Sequence, residues 1–142
     1  MRLGLLFTAL MLVTRGVFGL ELSDRGMYAI VHKDGHVTDF KFYVSWVNGE
    51  WNIERRGEDG TYIVVTCAPY CALKDSSPKD IERFFPSGVT RNLKPSCVHS
   101  AAVAFCSYRE NFNPRITHHV LVRLNTPKPS VVRLKRIGDF RE

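Results

Sequence analysis

Histidine and cysteine are the residue types in this chain best suited to catalysis or metal binding, with five and four copies. His118 and His119 are adjacent, so on a strand they point to opposite faces and cannot hold one metal ion together. His32, His36 and His99 show no spacing that is typical of a metal site or a catalytic pair. All five histidines are therefore predicted to be ordinary strand residues.

The sequence contains none of the local motifs that carry common enzyme chemistry. A serine nucleophile elbow, a phosphate-binding glycine loop and a pair of catalytic carboxylates are absent. Cys67, Cys71, Cys97 and His99 form a sulfur-rich set for zinc, but their spacing differs from that of a standard zinc finger. We therefore predict no catalytic residue, no metal and no cofactor.

Residues 1–19 have the layout of a secretory signal peptide, in which one arginine precedes the apolar run Leu3 to Val13. This run is too short to span a bilayer. An uncleaved anchor is the alternative, because Arg15 is unusual near a cleavage site. We expect residues 20–142 to form a single disulfide-stapled β domain in the periplasm or outside the cell, with no transmembrane span.

Four cysteines in an exported chain predict two disulfides. Pairing Cys67 with Cys71 leaves Cys97 to pair with Cys106, while the crossed pairings would close longer loops and stabilise more. In one straight strand, the Cα atoms of Cys97 and Cys106 would lie about 30 Å apart. A disulfide needs about 7 Å or less. The local pairing, which we favour, therefore requires the chain to bend near residues 99–100.

Alternation of apolar and polar residues predicts about seven antiparallel strands. The clearest is 36–47, where Phe42, Val44 and Trp46 share one face and are predicted to be buried. Asn48-Gly49 after it is the strongest hairpin signal in the chain. The predicted strands are 27–33, 36–47, 50–56, 61–66, 101–108, 116–124 and 130–137.

A short helix is predicted over residues 78–85, after the fourth strand. Ser77 suits the N-cap and Pro78 the first helical position. Several strands carry apolar residues on both faces, which favours a barrel or sandwich. The predicted fold is therefore mainly β, with about seven antiparallel strands in a small barrel or sandwich and one short helix. An open sheet with the helix across one face is the alternative.

The positive charge is concentrated in the C-terminal segment. Without the two arginines of residues 1–19 the formal charge falls from +6 to +4, and residues 115–142 alone carry +5. Arg133 and Lys135 share one face of the last strand. Together with Arg123 they predict a basic stripe for an anionic partner, whereas a solvated edge strand is the simpler alternative.

The loop between the first two cysteines is the other predicted binding element. A short loop closed by a disulfide is ordered before it binds, which lowers the entropic cost of association. Pro69 and Tyr70 lie in this loop, and tyrosine is a common anchor residue at interfaces. The alternative is a staple that only connects the fourth strand to the helix.

These features favour an exported, non-enzymatic binding protein. We predict an inhibitor or immunity protein that blocks an envelope-directed enzyme with an acidic or cleft-like surface, and no nucleic-acid partner. A small apolar-ligand carrier is the first alternative, with the aromatic-rich second strand as the cavity wall. A hydrolase whose residues converge only in space is the second.

Overall fold

The computed structural model describes residues 19–56, 62–64, 73–86 and 93–139. Nine β-strands in these residues join in one sheet, with a 3₁₀ turn at Leu22–Asp24 and a helix, α1, at Pro78–Phe84. The strands are β1 (Gly26–Val31), β2 (Val37–Val47), β3 (Glu50–Arg56), β4 (Tyr62–Val64), β5 (Lys74–Asp75), β6 (Ser96–His99), β7 (Val103–Arg109), β8 (Thr117–Arg123) and β9 (Ser130–Gly138).

The first three strands form two successive antiparallel hairpins. Asn48 and Gly49 connect β2 to β3, and both have positive φ angles, 52° and 78°. Two consecutive residues with positive φ give a turn whose twist matches that of the flanking strands. The hairpin predicted at this dipeptide is therefore confirmed.

The sheet closes on itself through β3. Its strand order is β4-β3-β2-β1-β9-β8-β7-β6-β5, so β4 and β5 are the two outer strands. Leu73, just before β5, forms an antiparallel bridge with Trp51, while β4 pairs further along β3, from residue 54 to residue 56. Because β4 and β5 lie on the same side of β3, the nine strands occupy eight positions of a nearly closed barrel.

Large apolar side chains fill the interior of the barrel. Tyr28, Phe42 and Phe105 are each at most 2% exposed. The ring of Tyr28 lies 6.1 Å from that of Phe42 and 5.2 Å from that of Phe105, between centroids. The other buried members of this cluster are Val44, Trp51, Ile53, Leu73 and Val98.

Helix α1 covers the outer face of the barrel over β6, β7 and β8. The Ser77 hydroxyl accepts a hydrogen bond from the Asp80 amide, and the Asp80 carboxylate accepts one from the Ser77 amide, both at 3.1 Å. This reciprocal cap starts the helix and holds the pKa of the Asp80 carboxyl below its usual value. Ile81 and Phe84 turn inward. They pack in a second buried cluster with Phe85, Cys97, Ala104, Cys106, Val120 and Val122.

A disulfide joins β6 to β7 beneath this helix. Cys97 and Cys106 lie directly opposite each other, with their Cα atoms 4.1 Å apart. The chain turns back between the two strands, where the Ser100 amide donates to the Val103 carbonyl at 2.8 Å. Both the predicted pairing of these cysteines and the predicted bend are confirmed.

Two other predictions fall on residues outside the described ranges. Residues 1–18, which form nearly all of the predicted signal peptide, are not described, and neither are Cys67 and Cys71. The signal peptide and the second disulfide therefore stay predictions.

The predicted fold class is confirmed, with differences in the strands. The domain is mainly β and antiparallel, forms a barrel rather than a sandwich, and has its short helix after β4 and the two-residue β5. Two short strands, β5 and β6, were not predicted, because two to four residues are too few for a clear alternation.

The burial of Trp46 was predicted wrongly. Trp46 is 39% exposed, whereas Trp51, its direct partner across the hairpin, is 4% exposed. The two rings contact edge to face, with 5.2 Å between centroids. Trp46 lies one residue before the end of β2, where alternation still selects the inner face, but the interior cluster includes Trp51 and its bridge partner Leu73 and does not include Trp46.

Candidate functional site

The N-terminal segment, residues 19–25, lies across one end of the barrel. The guanidinium of Arg136 donates to the carbonyls of Ser23 and Arg25 at 2.7 and 2.6 Å. Arg109, the last residue of β7, forms an exposed ion pair with Glu21 at 3.4 Å. Contacts with both β7 and β9 therefore anchor the segment to the barrel.

A buried carboxylate fixes the same segment from inside. Asp24 and His119 have side chains 8% and 7% exposed, and Asp24 Oδ1 lies 2.9 Å from His119 Nε2. The other oxygen of Asp24 accepts from the Glu21 amide at 2.8 Å. Tyr28 donates its hydroxyl to the Asp24 carbonyl at 2.6 Å, and burial raises the pKa of Tyr28.

This cluster suits structural support rather than catalysis. The imidazole of His119 packs against the rings of Tyr28 and Phe105, at 4.8 and 5.6 Å, so its position is determined by the core. His118, the preceding residue of β8, stacks on Tyr108 instead, with 5.3 Å between ring centroids. The two histidines therefore point to opposite faces, as the sequence predicts.

Replacing Asp24 with alanine is expected to destabilise the fold by about 2 kcal/mol, because buried donors in the end of the barrel lose their acceptor. Urea unfolding of the purified protein measures this change. Glu21→Ala is the matched control, since the Glu21–Arg109 pair is exposed and such pairs contribute about 0.5 kcal/mol or less. Equal losses in both variants would contradict a special role for Asp24.

Exposed apolar side chains gather at this same end of the barrel. In an antiparallel sheet the last residues of β2, β7 and β9 lie at the same end as the first residues of β1, β3 and β8. Only one large exposed apolar residue among those described, Val131, lies near the other end of its strand. The remainder, which we name the apolar rim, are Leu22, Trp46, Val47, Phe112, Ile116 and Ile137.

The loop between β7 and β8 carries the most exposed residue of the apolar rim. Phe112 is fully exposed. The loop is nevertheless held by its own hydrogen bonds: the Asn113 carbonyl accepts from the Ile116 amide at 3.0 Å, and the Ile116 carbonyl accepts from the Glu110 amide at 3.1 Å. Arg115, in the same loop, forms no ion pair with any described residue. An ordered loop thus carries both an exposed aromatic ring and an exposed arginine.

Sequence reasoning did not identify Phe112. Phe112 lies between the predicted strands 101–108 and 116–124, in a segment for which no binding residue is predicted. The available signal was the position of one large aromatic residue between Asn111 and Asn113, where neither strand pairing nor a helical face can bury it.

The predicted basic stripe is divided between the two faces of the sheet. Arg133 pairs with Val120, which packs beneath α1 on the outer face, and Lys135 is two residues further along β9. Arg123 pairs with Val103, which packs against the barrel interior. The Arg123 side chain therefore projects from the inner face of the sheet, whereas Arg133 and Lys135 project from the outer face. Arg123 therefore does not share a surface with Arg133 and Lys135.

Another lysine extends the outer basic surface instead. Ala29 pairs with Lys41 on one side and with Lys135 on the other, so the two lysines flank a buried alanine on the outer face. Lys41, Arg133 and Lys135 are exposed, and none forms an ion pair with a described residue. We name these three residues the basic wall; Asp39, two residues from Lys41, is the acidic residue nearest to it along β2.

The other predicted binding residues, Pro69 and Tyr70, lie outside the described ranges. Their role in binding stays a prediction. This prediction does not rest on the apolar rim or the basic wall.

One serine contacts a histidine in the described part of the chain at a distance that resembles a catalytic pair. Ser76 Oγ lies 2.6 Å from His99 Nδ1. Ser76 is only 2% exposed, so its hydroxyl orients the imidazole and is not accessible for attack on a substrate. Within the described ranges no group of three or more histidine, cysteine or carboxylate side chains is placed to hold a metal ion.

Comparisons with known proteins give no relative. No family model, no curated protein and no solved structure matches this chain. Among the described residues, no helix is both long and apolar enough to cross a membrane. The functional interpretation therefore depends on the geometry and chemistry of the surfaces described above.

Proposed function

We propose that this protein is an exported, non-enzymatic binding protein of the periplasm or the extracellular space, which inhibits an envelope-directed enzyme by docking its apolar rim into that enzyme. The observation that carries the proposal is the gathering of exposed apolar residues at one end of a barrel whose interior is otherwise well packed. The proposed class of this protein, an inhibitor or immunity protein, is based on the predicted export and on the lack of a recognisable catalytic motif in the sequence.

The composition of the apolar rim is typical of a protein interface. Aromatic residues and arginine contribute most of the binding energy at interfaces, and they act best when a ring enters a pocket and loses its water. Phe112 and Trp46 are the rim's aromatic residues, and Arg115 lies three residues after Phe112 in the same loop. Because hydrogen bonds already order the Phe112 loop, little conformational entropy is lost when it binds.

Arg115, in the loop that carries Phe112, and the basic wall, on the outer face below the rim, favour an acidic partner. Arg115 and the basic wall supply four exposed side chains with no described ion pair, and Ile137 of the rim follows Lys135 by two residues on β9. Unpaired charges attract a surface of opposite sign and speed the encounter. A protein with an acidic border around an apolar cleft would match both the rim and the basic wall.

The carrier function receives less support from the structure. Phe42 and Val44, which the carrier hypothesis assigns to a cavity wall, are buried against Tyr28 and Phe105 in the interior cluster. An apolar ligand would have to displace these contacts. The formed disulfide between Cys97 and Cys106 fits the oxidising compartment that the export prediction requires.

Phe112→Ala is expected to weaken partner binding by about 2 kcal/mol or more, the scale of an interface hot spot, without changing the stability of the fold. To obtain the partner, a photo-crosslinking phenylalanine analogue replaces Phe112 in the exported protein. The crosslinked protein is identified by mass spectrometry, and its affinity and enzymatic activity are then measured with purified wild-type and variant proteins.

Val131→Ala is the matched control, because Val131 is an exposed apolar residue near the other end of β9, away from the apolar rim. It should bind as the wild type does. Identical affinities for the two variants would show that the apolar rim is not the docking surface. A captured partner whose activity is unchanged by saturating protein would contradict the inhibitor function while leaving binding intact.

A further inference from the structure

A surface depression lies on the outer face of the barrel, beside α1. It has a volume of about 730 Å³, within the range of roughly 300–1,000 Å³ that is usual for small-molecule sites. Residues from β5, α1, the β6–β7 turn and the β8–β9 loop line it. We name it the α1 groove; its lining residues are Lys74, Arg83, Phe84, His99, Ser100, Ala101, Leu124, Thr126, Pro127 and Pro129.

The charged side chains that line the α1 groove are all of basic type. Lys74 and His99 are direct partners across β5 and β6, so their side chains project from the same face of the sheet. Arg83 adds a guanidinium from the last turn of α1. No carboxylate is among the lining residues. Asp75 follows Lys74, but successive strand residues point to opposite faces.

Asp80 satisfies only part of the Arg83 guanidinium. One nitrogen of Arg83 lies 2.6 Å from Asp80 Oδ1, and this carboxylate also caps α1 through Ser77. A guanidinium has five N–H donors in a planar fork, so donors remain for a second anion. Arg83 is 68% exposed, which makes these donors accessible.

The imidazole of His99 is held in one orientation. Ser76 Oγ contacts Nδ1 at 2.6 Å, and the Phe84 ring packs against the imidazole with 5.3 Å between centroids. Nδ1 is therefore occupied by the protein, while Nε2 has no hydrogen-bond partner among the described residues. A histidine fixed on one side presents its other nitrogen to whatever fills the groove.

Part of the lining is apolar. Phe84, Leu124, Pro127 and Pro129 contribute carbon surface, and the backbone bond from the Leu124 amide to the Ala102 carbonyl, 2.9 Å, ties the start of the β8–β9 loop to the β6–β7 turn. A ligand that matches this lining has an anionic group for the basic residues and an apolar body for the rest.

We propose that the α1 groove binds a small organic anion, with a carboxylate or phosphate group between Lys74, Arg83 and His99 and an apolar body against Phe84 and the prolines. Arginine and lysine are the usual ligands of both anionic groups. The groove shares no residue with the apolar rim, so anion binding and partner docking can succeed or fail independently.

Isothermal titration calorimetry with four probes tests the proposal. Phenyl phosphate and benzoate supply the two anionic groups on one apolar ring, inorganic phosphate lacks the ring, and benzyl alcohol lacks the charge. Phenyl phosphate or benzoate should bind at least tenfold more tightly than either single-feature probe. Which of the two binds better identifies the anionic group.

Arg83→Gln and Lys74→Gln should each weaken binding of the better probe at least fivefold, with melting temperatures close to that of the wild type. Lys79→Gln is the matched control, because Lys79 is an exposed basic residue of α1 that does not line the groove. It should leave affinity unchanged. Equal weakening by all three variants would mean general attraction by surface charge, and no binding of either aromatic anion at millimolar concentration would overturn the site.

Discussion

Trp51→Ala is expected to lower the free energy of unfolding by about 3–5 kcal/mol, the usual cost of removing a large aromatic residue from a core. Trp51 is 4% exposed and belongs to the cluster that fills the barrel. It also stands where the barrel closes, since its backbone bridges to Leu73. Loss of the indole would therefore leave a cavity beside the closure of the sheet.

Trp46→Ala provides the matched control for this experiment. The two tryptophans are the same residue type, face each other across one hairpin and contact edge to face. Trp46 is 39% exposed, so its removal should cost about 1 kcal/mol, the scale of one aromatic pair. Urea unfolding followed by circular dichroism measures both values. If Trp46→Ala cost as much as Trp51→Ala, the assigned packed interior would be wrong.

Replacing Cys97 and Cys106 together with alanine is expected to cost about 3 kcal/mol, as loop-closure entropy predicts for a disulfide that closes a short loop. The two cysteines are nine residues apart in sequence. Both are fully buried beneath α1, so the variant also loses sulfur atoms from the second cluster. Helix α1 should then become the first element to loosen.

Hydrogen exchange of the α1 and β6–β7 amides, together with urea unfolding, measures this effect. The wild type treated with reductant is the control, because it breaks the bond without removing the sulfur atoms. A loss of less than about 1 kcal/mol in the alanine variant would mean that the β6–β7 pairing and the packing of α1 stabilise this part of the barrel without the disulfide.

The two surfaces proposed for binding have different origins in the fold. The apolar rim exists because strands and turns at one end of the barrel extend beyond the packed interior, while the N-terminal segment is drawn in by Asp24 and Arg136. The α1 groove exists because the helix leaves part of the outer face uncovered. The first is proposed to recognise a protein and the second a small anion.

Local patterns in the sequence determined the secondary structure of this chain to a large extent. Alternation in β2, positive-φ residues at Asn48-Gly49 and the Ser77 cap each depend on neighbours within a few residues. The same holds for the Cys97–Cys106 pair, because two cysteines nine residues apart can meet once the chain bends between them. Such features form wherever the local chain folds, so the sequence could predict them.

Tertiary structure alone decided which of these local features would be buried or exposed. Trp46 and Trp51 follow the same alternation and face each other across the hairpin, but only Trp51 packs into the interior cluster, beside the strand closure at Leu73. Arg123 was grouped with Arg133 because both belong to the basic C-terminal segment, while the pairing with β7 and the inner packing of Val103 place Arg123 on the opposite face. The apolar rim and the α1 groove combine segments that are far apart in sequence, and their placement follows from the strand order of the sheet and the packing of α1, which no local pattern encodes.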